Sequence, residues 1–170
     1  MRTPQIRDAV SPAEGWKAAL ALEAPQVDAT VVDSTDVDPG TFENFQGFGD
    51  IAARLRRETG WGHLTVSMIF RSITLQDREQ ETQLVPGLGL QASGTIDLDG
   101  DDQLLFQVIG GRAISRFVGS LGGKGLDVIL NPESGSWEAV VSYGGYVTYS
   151  HHWENLAPGV ISNFTVGGIG

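Results

Sequence analysis

Alternation of apolar and polar residues constrains this chain more than any other feature. Leu64, Val66, Met68 and Phe70 alternate with His63, Thr65, Ser67 and Arg71. Trp16, Ala18, Leu20 and Leu22 alternate with Lys17, Ala19, Ala21 and Glu23, and Leu88, Leu90, Ala92 and Ile96 alternate with Gln91, Ser93 and Thr95. A period of two puts successive side chains on opposite faces of an extended strand, so each run has one apolar and one polar face. The pattern predicts eight strands at about 2–10, 15–25, 50–59, 62–76, 84–97, 102–117, 141–154 and 159–169. A helix over 49–57 is the competing assignment, because Ile-Ala-Ala-Arg-Leu-Arg-Arg contains good helix formers. Strand is preferred there, because Gly60-Trp61-Gly62 links the segment tightly to the clear strand that follows.

The connections alternate in length. Those at 11–14, 59–61, 98–101 and 155–158 are short, 77–83 is intermediate, and 26–49 and 118–140 are long. The expected fold class is therefore all-β: an antiparallel up-and-down meander of about eight long strands in a single domain, 1–170. Several strands run to 11–16 residues, longer than the five or six usual in soluble sheets and long enough to cross a bilayer when tilted. Short turns at one end and long loops at the other are the asymmetry of outer-membrane barrels.

Composition narrows the function. With 23 Gly in 170 residues, a helical bundle is disfavoured. With no Cys, disulfides, thiolate–zinc sites and thiol catalysis are excluded. The net charge is −10, which argues against nucleic acid as a partner. That charge is divided: sixteen of the 21 acids fall at 28–50, 77–81, 97–102 and 127–138, in connections or strand ends. Most bases lie within strands: Arg2, Arg7, Lys17, Arg54, Arg56, Arg57, Arg71, Arg112 and Arg116. The start, MRTPQIRDAV, lacks the apolar stretch of a secretory signal, so either the protein is cytosolic or a leader lies outside this chain.

Within that frame, Arg54, Arg56 and Arg71 fall on the polar faces of adjacent strands. Cross-strand neighbours lie about 5 Å apart, so their guanidinium groups are expected to form a ladder that guides anions. Lys17 joins it, with Gln91 and Gln107 as further lining residues on the polar phase. Arg112 and Arg116 follow a phase change at Gly110-Gly111, which leaves their facing open. The bland alternative is a solvated face with salt bridges to Glu23 or Glu58. Leu64, Val66, Met68 and Phe70 are the expected lipid-facing row.

Other motifs carry less. Asp97-Leu-Asp-Gly-Asp-Asp102 resembles the start of a calcium loop, but a plain Asp-Gly hairpin turn is the better fit. His151 and His152 are adjacent on a strand, point to opposite faces and cannot chelate together. Tyr146, Tyr149 and Trp153 are read as an aromatic girdle. Gly122-Gly-Lys-Gly lacks phosphate-loop spacing and is expected in a flexible external loop. No metal, no cofactor and no nucleophile–base pair is implied, so no enzyme is expected.

Two hairpins resemble a known family. DIAARLRRETGWGHLTVSMIFRSI (50–73) and YGGYVTYSHHWENLAPGVISNF (143–164) are similar to hairpins of the DcaP-like outer-membrane porins. RTPQIR and WKAALALEAP near the start fit the same pattern. That resemblance implies passive diffusion of small, carboxylate-type anions across the outer membrane of a Gram-negative bacterium, contact with outer-membrane lipid, and a homo-trimer. The family forms larger barrels of about 16 strands, so the resemblance implies part of such a barrel or a truncated version. The competing function is a soluble lipocalin-like barrel binding a small apolar ligand, which would turn the Leu64, Val66, Met68, Phe70 row inward.

Overall fold

The computed structural model describes residues 4–27, 29–31, 44–45, 49–76, 82–131, 136–153 and 159–170. Much of the loops expected at 26–49 and 77–83, the turn at 155–158, and Arg2 lie outside these residues. Twelve strands are described. Eight make the main meander: β1 (Gln5–Val10), β2 (Trp16–Glu23), β5 (Asp50–Thr59), β6 (Gly62–Gln76), β7 (Thr82–Asp97), β8 (Gln103–Arg112), β11 (Val141–His152) and β12 (Ile161–Ile169). They pair in the order β1-β2-β5-β6-β7-β8-β11-β12, each antiparallel to the next. Short β4 (Asn44–Phe45) adds to the far end of β6. The expected up-and-down meander is thus the observed fold, and residues 50–59 are strand rather than helix. The sheet is open, since β1 pairs only with β2 and β12 only with β11.

Register sorts the side chains onto two faces. Ala53, Met68 and Leu90 stand side by side, as do Leu55, Val66, Ala92 and Val108. Leu64, Val66, Met68 and Phe70 therefore share one face with Leu20, Leu88, Leu90, Phe106 and Val147. That apolar face is open along its length: Leu90 is 55% exposed and Phe164 is 70% exposed. On the opposite, polar face lie Lys17, Arg54, Arg56, Ser67, Gln91 and Gln107.

The packed core lies on the polar face, at the long-loop end. There β6 changes phase: apart from Ile69, its apolar residues are even-numbered up to Phe70 and odd-numbered at Ile73 and Leu75. Ile73, Leu75 and Val85 are buried with Ala113, Val128 and Trp137. The last two come from a small sheet in the order β10-β9-β3, made of β3 (Ala29–Val31), β9 (Val128–Leu130) and β10 (Trp137–Ala139). Segment 118–140 was expected as an external loop. Val118, Asp127, Val128 and Trp137 instead pack back onto the sheet, because its apolar residues find a matching surface on the phase-shifted ends of β6 and β7, while Gly122, Gly123 and Lys124 are exposed. The expected strand 102–117 likewise ends at Arg112. Ala113 takes a left-handed conformation (φ 56°), and the chain turns into two short 3₁₀ turns, Ser115–Phe117 and Gly119–Leu121.

Glycine makes this close approach possible. A Cβ on Gly89 would stand 3.0 Å from side-chain carbons of both Ile114 and Ile69, and one on Gly144 would stand 3.1 Å from Val118. The sheet thus presents bare backbone where the 113–118 segment lies against it. Gly89→Val is expected to push Ile114 off the sheet and to cost about 1–3 kcal/mol by overpacking. Chemical denaturation of the purified protein checks this, with Gly60→Ala, at an exposed turn with nothing within contact distance of its Cβ, as a mild reference.

Candidate functional site

The polar face carries two charge clusters, placed by the same β5–β6 pairing. Arg71, near the long-loop end, is fully buried. Its Nε donates to Asp50 Oδ2 at 3.1 Å, and its Nη1 donates to Asp127 Oδ2 at 2.9 Å and to the Ala113 carbonyl. Nη2 donates to the Gln26 carbonyl. Asp127 Oδ1 in turn accepts from the Ser115 hydroxyl at 2.8 Å and from the Arg116 amide. Arg116 continues the network with donors to the Gln26 carbonyl and side chain. The Phe117 ring lies 5.4 Å from the guanidinium group of Arg71 and 5.3 Å from that of Arg116. Arg71 was expected in an open ladder with Arg54 and Arg56. It shares their face, but its donors are spent on the inward-folded segments and it has no exposed surface. Its place there is that of a clamp.

The second cluster lies towards the short-turn end and is open. Lys17 stands directly across from Arg56, and Arg54 lies two residues along β5. Glu58 draws in both outer cations: Arg56 reaches it through Nε at 2.8 Å and Nη2 at 3.2 Å, and Lys17 through Nζ at 3.3 Å. The salt bridges to Glu58 that the bland alternative expects are present. Arg7 on β1 completes the strip, facing Ala21 across the strand pair. Among the described residues, neither Arg7 nor Arg54 pairs with a carboxylate. A groove of about 400 Å³ opens over Ala9 and Ala19 beside Arg7, Lys17, Arg54 and Arg56, and a smaller one of about 170 Å³ lies between Arg7 and Arg54 on a floor of Ala19, Ala21 and Ala52. Arg7 was absent from the expected ladder because its strand is short and its alternation weak. Gln91 and Gln107 line the same face farther along, where Gln107 accepts a long 3.5 Å hydrogen bond from Tyr146.

The remaining expected positions divide by face. Arg112 falls on the apolar face, between Leu88 and Val141 and at its long-loop end. Arg57 is also on that face, at the short-turn end, and covers the Trp16 ring at 5.2 Å. The girdle assignment is corrected for Tyr146, which shares the polar face with Gln107, while Tyr149 pairs with Leu104 on the apolar side. Three of the four Trp (Trp16, Trp61 and Trp153) lie at the short-turn end, and the fourth, Trp137, is in the core.

His151 and His152 do point to opposite faces, as Ser162 and Ile161 opposite them show. The 97–102 segment is a turn, with a 3₁₀ step at Asp99–Asp101. Its Asp102 accepts from Tyr149 Oη, from His151 Nδ1 at 2.8 Å and from the His152 amide at 3.1 Å. The His151 ring meets Trp153 edge-on at 4.5 Å, and Trp153 Nε1 donates to Ser162 Oγ at 2.9 Å. Asp102 thus ties the rim of β8 to that of β11, and these bonds, Tyr149 first and His151 second, hold its carboxyl down at about 2. Among the described residues, no group of three or more His, Asp or Glu is placed to share a metal ion. No protein-family model, no curated protein and no solved structure matches the chain.

Two outcomes follow. Arg71→Ala leaves Asp50 and Asp127 buried without their cation, which costs about 3–5 kcal/mol. Protease sensitivity within 113–140 is expected to rise while the far strands stay protected, as limited proteolysis would show. The Asp102 tie is pH-dependent. Its folded pKa lies below the ordinary 3.8, so its stabilisation is complete above that value and fades as pH falls towards 2. A Trp153 fluorescence titration between pH 5 and 2 should show the change, and Asp102→Asn should abolish it.

Proposed function

We propose that the chain builds the wall of a membrane β-barrel that passes small anionic solutes, carboxylates above all, by diffusion along its polar face. One observation carries this: eight antiparallel strands present an exposed apolar face on one side, charged only at Asp8 on β1, at Arg57, at Arg112 and where His151 is protonated, and a cation-bearing polar face on the other. On β7 the apolar row runs from Leu84 to Ile96, roughly 40 Å at 3.3 Å per residue, more than the lipid-facing band of a barrel requires. Leu64, Val66, Met68 and Phe70 are its lipid contact. The charges at its ends, Arg57 and Arg112, sit where long side chains can reach the headgroups. Trp16, Trp61 and Trp153 form an interfacial belt at the short-turn end.

Along the polar face, Arg7 and Arg54 are the free anion contacts, with Lys17 and Arg56 beside them, damped by Glu58. Gln91 and Gln107 supply neutral hydrogen-bonding positions. The soluble-barrel alternative needs the Leu64 row turned inward. The packed segments lie against the opposite face, which favours the membrane reading. Outer-membrane placement, and trimeric assembly of complete barrels, rest on the family resemblance alone.

Planar-bilayer conductance tests this reading. The Arg7→Ala/Arg54→Ala variant is expected to lower the anion-to-cation permeability ratio roughly fivefold, the worth of an interaction of about 1 kcal/mol. Glu58→Gln should shift it the other way. An unchanged ratio would remove these side chains from the path. A chain that stays monodisperse in buffer without detergent would remove the membrane.

A further inference from the structure

Resting on that channel reading, we infer that the polar face selects monocarboxylates with a short alkyl tail. Arg54 is the anion contact, and an apolar notch beside it takes the tail. The inner face is not polar throughout. Ile69 on β6 and Ile109 on β8 point into it, in the phase held otherwise by Ser67, Gln91 and Gln107. Both are half-buried, so each keeps apolar surface towards water, and neither belongs to the core built on Ile73, Leu75 and Val85.

Phe117, from the first 3₁₀ turn after β8, joins Ile69 and Ile109 in lining a cavity of about 150 Å³. Gly89, across from Ile69 on β7, lines it too and adds no side chain to fill it. Apolar surface of this kind gains by covering itself with an apolar group, and a cavity of that size holds about six carbons.

The notch adjoins the cation strip. Ala52 and Ser67 line both it and the smaller groove between Arg7 and Arg54. Arg54 stands opposite Ser67, and Ile69 follows two residues later on the same strand. Such diagonal neighbours lie about 7–8 Å apart, the reach of a five- or six-carbon chain. Arg54 is exposed and, among the described residues, has no carboxylate partner, so its guanidinium is open to both oxygens of a bound carboxylate. With its head there, an alkyl chain lies over Ile69 towards Phe117.

Glu23 opposes a second charge. It lines the groove and the notch from β2, across from Asp50, and among the described residues it has no cation partner. A second carboxylate in the notch would meet Glu23 and exchange water for isoleucine and phenylalanine. Cations alone would rank a dianion above a monoanion of equal length, and the notch reverses that order.

Chloride conductance through the full chain in planar bilayers tests this, with acetate, hexanoate and adipate added as competing anions at neutral pH. The half-blocking concentration of hexanoate is expected to lie roughly tenfold below that of acetate, because part of a longer apolar tail leaves water. It should also lie below that of adipate. Ile69→Thr with Ile109→Thr, which keeps both strand positions β-branched, should erase the advantage of hexanoate over acetate. Glu23→Gln should strengthen the block by adipate. Equal block by hexanoate and acetate in the unsubstituted protein, stronger block by adipate than by hexanoate, or a hexanoate advantage that survives the double substitution would each overturn the tail site. In those cases, anion selectivity that falls in the Arg7→Ala/Arg54→Ala variant would leave the channel reading standing. A chain that gives no conductance and stays monodisperse in plain buffer would end both.

Discussion

A guanidinium with no exposed surface sets the architecture of this protein. Arg71 stands two-thirds of the way along a 15-residue strand, at the point where the sheet stops being a two-faced wall and becomes the floor of a core. A buried cation is stable only when its donors are matched, and each of its nitrogens has a partner. Those partners come from far apart: Asp50 at the start of β5, Gln26 just after β2, Ala113 just after β8, and Asp127 just before β9. One residue thus fixes where two separate connections, one at Gln26 and one from Ala113 to Asp127, return to the sheet. The apolar layer of Ile73, Leu75, Val85, Val128 and Trp137 packs beside it and hides it from water. The ion pairs supply position, and the apolar burial supplies the stabilisation that offsets their desolvation.

The clamp also explains why the two charge clusters on one face differ in character. At the long-loop end the carboxylates Asp50 and Asp127 are supplied with their cation and sealed. At the short-turn end the cations outnumber the carboxylates and lie open on a floor of alanine. Small side chains at Ala19, Ala21 and Ala52 keep neighbouring strands from filling the space between Arg7 and Arg54. The overall charge of −10 conceals this, because most acidic groups lie in connections or at strand ends and the open strand face is basic.

Much of this could be read from residue order. Strand periodicity located all eight long strands, because one exposed apolar face and one polar face leave a strong period-two signal. The same parity places Tyr146 with Gln107 and Thr148 rather than with Tyr149, so the girdle error was avoidable. The switch from even-numbered Met68 and Phe70 to odd-numbered Ile73 and Leu75 is also legible, and it marks where the inner face needs an apolar cover. What was illegible is non-local. Nothing near Arg71 in sequence announces Asp127, 56 positions later, and an alternation pattern assigns Arg54 and Arg71 the same facing without distinguishing open from covered. The tie of Asp102 to Tyr149 and His151 spans 47 and 49 positions and depends on β8 and β11 being neighbours. The inward fold of 118–140 had local clues only in its apolar residues and in the glycines that receive it.

On the proposed channel reading, Glu58 resolves a difficulty that a bare arginine ladder would create. A site that conducts must attract an anion without holding it, so several weak contacts serve better than one deep well. Four unopposed cations within two or three strands of one another would form such a well. By accepting two bonds from Arg56 and one from Lys17, Glu58 removes most of their field and stiffens both side chains against the wall. Arg7 and Arg54 then stand across β2 as two separate contacts of moderate strength. A carboxylate solute can pass from one to the other without leaving a strong site. The carboxylate in the strip is therefore as much a part of anion passage as the cations, since it sets how quickly a bound anion can let go.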